Sequence, residues 1–137
     1  MSIAKLFSIS EKRKEFVNEK EKLIRDLFKN DFNKAKKILS NNLQTMAEYG
    51  ATKCKIYFLS VNDDEFPVEV ESPKDFMTKF YKGEITLNQI KRKSKGRFKE
   101  VYNFLNKNNY NPKLAFYKDK GKMNIGIAIY IEWDNKF

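Results

Sequence analysis

Residues 123–133 read Met-Asn-Ile-Gly-Ile-Ala-Ile-Tyr-Ile-Glu-Trp, and this run constrains the fold more than any other. The odd positions, Met123, Ile125, Ile127, Ile129, Ile131 and Trp133, are large and apolar, whereas Asn124, Gly126, Ala128, Tyr130 and Glu132 are small or polar. Side chains of a strand alternate between two faces, so a period of two with four β-branched residues in phase specifies a strand with one packed face. Its length places it at the centre of a sheet, where both rows of backbone groups find partners.

Upstream, Leu114 and Phe116 alternate with Lys113, Ala115 and Tyr117, and Asp119-Lys120-Gly121-Lys122 reads as the turn of a hairpin. A four-residue turn pairs Lys118 with Met123, so that Leu114 faces Ile127 and Phe116 faces Ile125; a three-residue turn with a bulge at Gly121 slips this by one. The first register keeps apolar residues together and is the one expected. A second hairpin is expected earlier. In residues 52–61, Cys54, Ile56 and Phe58 alternate with Lys53, Lys55 and Tyr57, and after the polar turn Asn62-Asp63-Asp64-Glu65, Phe66, Val68 and Val70 continue as an edge strand, since Pro67 cannot donate to a ladder.

The helices announce themselves by caps. Ser8-Ile9-Ser10-Glu11 has capping-box spacing and opens an amphipathic helix over about residues 9–29, with Phe16, Val17, Leu23, Ile24, Leu27 and Phe28 in phase. Asn30 and Asp31 restart the period on Phe32, Ala35, Ile38, Leu39, Leu43 and Met46, up to the stop at Gly50; one long helix through Asn30 is the competing reading. Ser72-Pro73-Lys74-Asp75 starts a short helix that ends near Gly83. Thr86-Leu87-Asn88-Gln89 opens a basic helical segment that runs into Phe98, Val101, Tyr102 and Leu105 and stops before Pro112.

The expected fold is therefore α+β, a single domain over residues 1–137, with a mostly antiparallel four-stranded sheet covered by helices on one face in the order α-α-β-β-α-α-β-β. The layout suggests a helix-hairpin pseudo-repeat, residues 32–70 and 97–133, although the residues themselves do not align. With 41% apolar and 15% aromatic residues, a chain of 137 residues can bury about two-thirds of its unfolded surface.

Composition narrows function. There is no histidine, which removes His-based acid–base catalysis, Ser-His and Cys-His nucleophiles and most zinc sites. The lone cysteine, Cys54, has no internal partner for a disulfide and reads as a small buried apolar residue. No run approaches the roughly 18 apolar residues of a membrane span, and no secretory leader is evident, so a cytoplasmic protein without membrane contact is expected. Nor does any motif call for a cofactor. The formal net charge of +10 favours anionic partners.

The sharpest charge feature is Lys91-Arg92-Lys93-Ser94-Lys95-Gly96-Arg97 with Lys99 beyond it, six cations in nine positions and no acid between Glu84 and Glu100. At a helix start they oppose the helix dipole, which points to a phosphate-binding patch in which Ser94 and Gly96 let backbone amides approach an anion; the plainer reading is a solvated face. A second surface follows from strand parity. Opposite the isoleucines lie Lys53, Lys55, Tyr57, Lys113, Tyr117, Asn124 and Tyr130 around a floor of Gly126 and Ala128, a set on which bases stack while phosphates meet ammonium groups. The analogy is to the surface of RNA-recognition sheets, without their glycine-aromatic motif; the plainer reading is that the first helix covers this face.

The expectation is thus a small basic non-enzymatic protein that binds DNA or RNA. The alternative is an inhibitor or adaptor that binds a host or defence protein, encoded by a phage or mobile element, as the Lys-, Asn-, Ile- and Phe-rich usage of a low-GC genome suggests. A metal-dependent nuclease using Asp134, Lys136 and Glu69 or Glu71, or a metal at Asp63, Asp64 and Glu65, is the weakest reading, since adjacent acids in a turn diverge.

Overall fold

The computed structural model describes residues 3–118 and 125–133, with the side chains of residues 3–10 left aside. Five helices and three strands are present among them: α1 (Ile3–Asn30), α2 (Phe32–Glu48), β1 (Lys53–Ser60), α3 (Pro73–Tyr81), α4 (Leu87–Lys93), α5 (Gly96–Lys107), β2 (Lys113–Lys118) and β3 (Ile125–Glu132). They form an α+β protein with a three-stranded antiparallel sheet in the order β1-β3-β2, so the long strand is central as its sequence requires. The chain divides into two compact units, one of residues 1–54 with 132–137 and the other of residues 55–131.

In the first unit α1 and α2 form an αα-hairpin. Asp31 breaks the helix at φ −148° and its carboxylate accepts from the Lys34 amide at 3.2 Å, so two helices form and not one. Phe28 meets Phe32 edge-on beside this break, and Phe16 stacks on Tyr49 at the far end, 4.1 Å between centroids. Ile24, Phe28, Ala35, Leu39 and Met46 are buried at helical spacing. Helix α1 starts at Ile3, ahead of the Ser8 cap, because nothing in residues 3–8 breaks a helix once the next turns hold it.

In the second unit the fourth strand is missing. Residues 66–70 are irregular, and Phe66 N–H closes a turn on Asp63 O at 3.0 Å. Pro67 removes a donor here, and the Phe66 ring leaves any sheet face to pack edge-on against Phe76 of α3. The expected order and the helix-hairpin repeat accordingly reduce to α-α-β-α-α-α-β-β. Helix α3 begins as its sequence indicates, with the Ser72 hydroxyl accepting from the Asp75 amide at 3.1 Å and Pro73 following it. Asp75 also accepts from the Glu71 amide, which holds its carboxyl below the ordinary 3.8; desolvation opposes this and Lys79 assists it.

Strand β2 pairs with β3 in a register two residues away from the expected one, with Lys118 opposite Ile125, Phe116 opposite Ile127 and Leu114 opposite Ile129. A two-residue shift preserves the faces, so Phe116 and Leu114 still share a face with the isoleucines. The predicted turn and the start of the strand, at residues 119–124, lie outside the described residues. Helices cover the isoleucine face of this unit: Phe116 meets Phe76 and Phe80 of α3 at 5.4 and 4.7 Å, and Tyr57 of β1 meets Phe98 of α5.

Strand β1 carries a defect that the sequence conceals. Val61 N–H bonds Ile125 O, which sets Tyr57 opposite Ile129, whereas Trp133 N–H bonds Thr52 O, which sets Ile56 opposite the same residue. Two residues of β1 therefore face one of β3, a β-bulge. Burial follows the slip: Cys54, Ile56, Tyr57 and Leu59 are buried, and Lys55 and Phe58 are not.

Candidate nucleic-acid interface

The bulge decides the fate of the sheet surface. Parity placed Tyr57 beside Lys53 and Lys55; instead it lies on the helix-covered face, 1% exposed. Phe58 takes its place. Tyr117 sits opposite Gly126, its Cε1 2.9 Å from where a Cβ would be, and meets Phe58 edge-on at 5.9 Å. Two rings thus meet over the small residues of the central strand. The Lys55 ammonium sits 4.3 Å from the Phe58 centroid and 5.3 Å from that of Tyr117. Gly126 and Ala128 are buried, and Tyr130 and Tyr117 are half-buried. The floor expected to receive a base is filled by this chain's own side chains. Lys53 and Lys113 stay exposed at the strand ends, and Asn124 lies outside the described residues.

The basic segment is not one helix but two. Thr86 and Gln89 form the expected capping box, with Thr86 Oγ1 accepting from the Gln89 amide at 3.2 Å and Gln89 Oε1 from the Thr86 amide at 2.9 Å. Helix α4 then ends at Lys93, and α5 restarts at Gly96 with φ +61°. Lys91, Arg92 and Lys93 consequently occupy the last turn of α4, where the helix dipole favours cations. The apparent electrostatic misfit disappears for these three and persists for Lys95, Arg97 and Lys99 at the start of α5.

Lys91, Arg92, Lys93, Lys95 and Lys99 are exposed, and none of the ion pairs among the described residues involves them. Lys91 lies 5.5 Å from the Tyr102 ring centre. Arg97 differs: it is half-buried and bonds Glu100 at 2.7 Å. Its backbone amide donates to Glu65 Oε1 at 3.3 Å. Lys95, at the N-cap position, offers no side-chain cap, so a carboxylate 32 residues before Arg97 supplies it. A Cβ on Gly96 would stand 2.6 Å from the same oxygen. The backbone approach expected for an external anion is made by Glu65.

The chain matches no protein-family model, no curated protein and no solved structure.

Elsewhere the candidates thin out. No group of three potential metal ligands occurs among the described residues. Asp63 accepts from the Glu65 amide at 3.1 Å within its own turn. Glu132 is exposed, and Asp134 and Lys136 lie outside the described residues. Cys54 is buried, as its strand position predicted. Trp133 is half-buried at the end of its row, with Nε1 lacking a hydrogen-bond partner among the described residues. No described helix is long and apolar enough to cross a membrane. Sequence reasoning gave two residues other roles: Phe58, set in the packed row because the bulge is hidden, and Glu65, read as part of an acidic turn because its contact with α5 has no local signature.

Proposed function

We propose that this protein binds nucleic acid through the surface around the α4–α5 break, with Lys91, Arg92, Lys93, Lys95 and Lys99 on phosphates. The supporting observation is this set of five exposed cations on two helix ends, without acidic partners among the described residues. Two short helices separated by Ser94 and Lys95 divide the charges between two helix ends and not along one helical stripe. Such a surface neutralises phosphates and releases their counterions without reading sequence. Because the sheet rings are engaged with one another and with Lys55, the reading rests on phosphate contacts, and base stacking on the tyrosine face is not part of it.

Polarisation titrations at two salt concentrations test this directly. Five phosphate contacts correspond to a log–log salt slope of about −3.5 on single strands and about −4.5 on duplex. The triple variant K91Q/R92Q/K93Q should reduce the slope by about 2 on single strands. No binding to DNA or RNA at low salt rules the proposal out. The rival is an inhibitor or adaptor that sets the same basic patch against an acidic surface of a host or defence protein; residues 66–70, which could have added to a partner's sheet, do not form a strand. A protein partner that survives nuclease treatment of a lysate would favour this rival.

A further inference from the structure

The acid that caps α5 lies in an unusual company of charges. Residues 61–71 carry Asp63, Asp64, Glu65, Glu69 and Glu71, the densest acidic stretch of the second unit, and the loop they form is laid against the start of the most basic one. A hollow of about 620 Å³ is lined by Asp63, Asp64, Glu69 and Glu71 together with Lys79 and Lys95. Glu65 itself is fixed at both ends: its amide donates to Asp63 Oδ1, and its carboxylate accepts from the Arg97 amide. Gly96 at φ +61° brings the backbone close enough that any Cβ would meet that carboxylate.

A helix start needs an acceptor, and a serine at position 95 would supply one locally, as Thr86 does for α4. Here a lysine stands at the N-cap and the acceptor is a charged group brought from a distant loop. Its negative charge lies at the backbone of Gly96 and Arg97, within the basic stretch from Lys95 to Lys99. We propose that Glu65 is an intramolecular brake on polyanion binding: its carboxylate holds the Arg97 amide and sets a negative charge at the start of α5, which opposes the approach of phosphates to that end of the surface. The inference rests on the phosphate-binding reading above and adds an autoinhibitory contact to it.

The test compares the wild-type chain with E65Q, D64N and K91Q/R92Q/K93Q, each titrated at low salt with a fluorescent single-stranded oligonucleotide. Gln keeps an oxygen that can accept from the Arg97 amide while losing the charge. E65Q should bind about three- to tenfold more tightly than wild type, from one charge removed at close range, and the gain should shrink as salt rises. D64N removes the same charge from an exposed neighbour that makes no such contact and should gain less. If E65Q binds no more tightly while the triple variant is weakened, the brake is overturned and the phosphate-binding reading stands. Equal gains in D64N and E65Q overturn it too, since net charge alone would then explain them. If neither wild type nor E65Q binds, both readings fall. Should E65Q not fold, E65N serves instead: it also loses the charge while keeping an amide oxygen, and an affinity no higher than wild type overturns the brake.

Discussion

The sheet face around Gly126 and the surface around the α4–α5 break carry the same kinds of residue in the sequence, lysines mixed with aromatic or small residues, and they end in opposite states. On the sheet, Tyr117 and Phe58 close over Gly126 and Ala128, and Lys55 lies against both rings. At the helix break the cations have no aromatic floor to lie on, apart from Lys91 beside Tyr102, and they stay in water. The difference teaches that a Lys/Tyr/Gly pattern on a strand is first of all a packing solution. Long amphipathic side chains cover small neighbours whenever the backbone brings them within reach. A cluster on helix ends has no such neighbours and remains available.

The strongest way to break this comparison is Gly126→Val. Its Cβ would collide with the Leu59 carbonyl and come within 2.9 Å of Tyr117 Cε1. The Leu59 carbonyl is backbone of the adjacent strand and cannot step aside without disturbing the ladder. The variant should lose roughly 3 kcal/mol or more of stability, in the range of severe overpacking, read by urea denaturation. A Gly126→Val protein that folds as well as wild type would show the floor to be open after all.

Next in size is the pair Tyr57→Ala and Phe58→Ala. The bulge assigns Tyr57 to the core, against Phe98, and Phe58 to the half-buried face. Tyr57→Ala should cost about 3–5 kcal/mol by cavity formation. Phe58→Ala should cost about 1–2 kcal/mol, for partial burial and an edge-on ring contact. Without the bulge the order would reverse, because plain alternation puts Phe58 inside. Denaturation midpoints of the two variants therefore measure the bulge itself.

These contrasts mark what the residues disclosed in advance. The alternation of residues 125–131 announced a central strand, and Ser72-Pro73, Thr86/Gln89 and Asp31 announced helix starts, because each signal lies within one turn of the structure it specifies. The bulge at Ile56 and Tyr57 was hidden because both residues are acceptable on either face of a strand, and packing against Phe98 chose between them. Residues 66–70 alternate like a strand, yet the partner that would have completed a ladder was never encoded nearby, and Phe66 found Phe76 instead. The break at Ser94 and Lys95 was hidden for the reason that makes Glu65 interesting: the cap of α5 comes from far along the chain. Of the expected site, Lys91, Arg92 and Lys93 end one helix and Lys95, Arg97 and Lys99 lie at the start of the next, whereas Tyr57 faces the core.

The smallest effects separate the two ends that make up the cluster. Arg92 and Lys93 lie in the last turn of α4, where the partial negative charge of the helix end favours them. Lys99 lies in the first turns of α5, where the same dipole disfavours it. Arg92→Gln and Lys93→Gln should each lower stability by about 0.3 kcal/mol, and Lys99→Gln should raise it by about as much, all at low salt. Relief of repulsion among neighbouring cations adds a positive contribution to all three. The difference in sign between the two groups is thus the quantity to read, from melting temperatures at low and high salt. One continuous helix over residues 87–107 would place Arg92, Lys93 and Lys99 in its interior, where the dipole acts on none of them. The three substitutions would then shift stability alike. Opposite signs that converge as salt screens the dipole locate the break between Lys93 and Gly96, and with it the geometry on which the proposed phosphate surface and the proposed Glu65 brake depend.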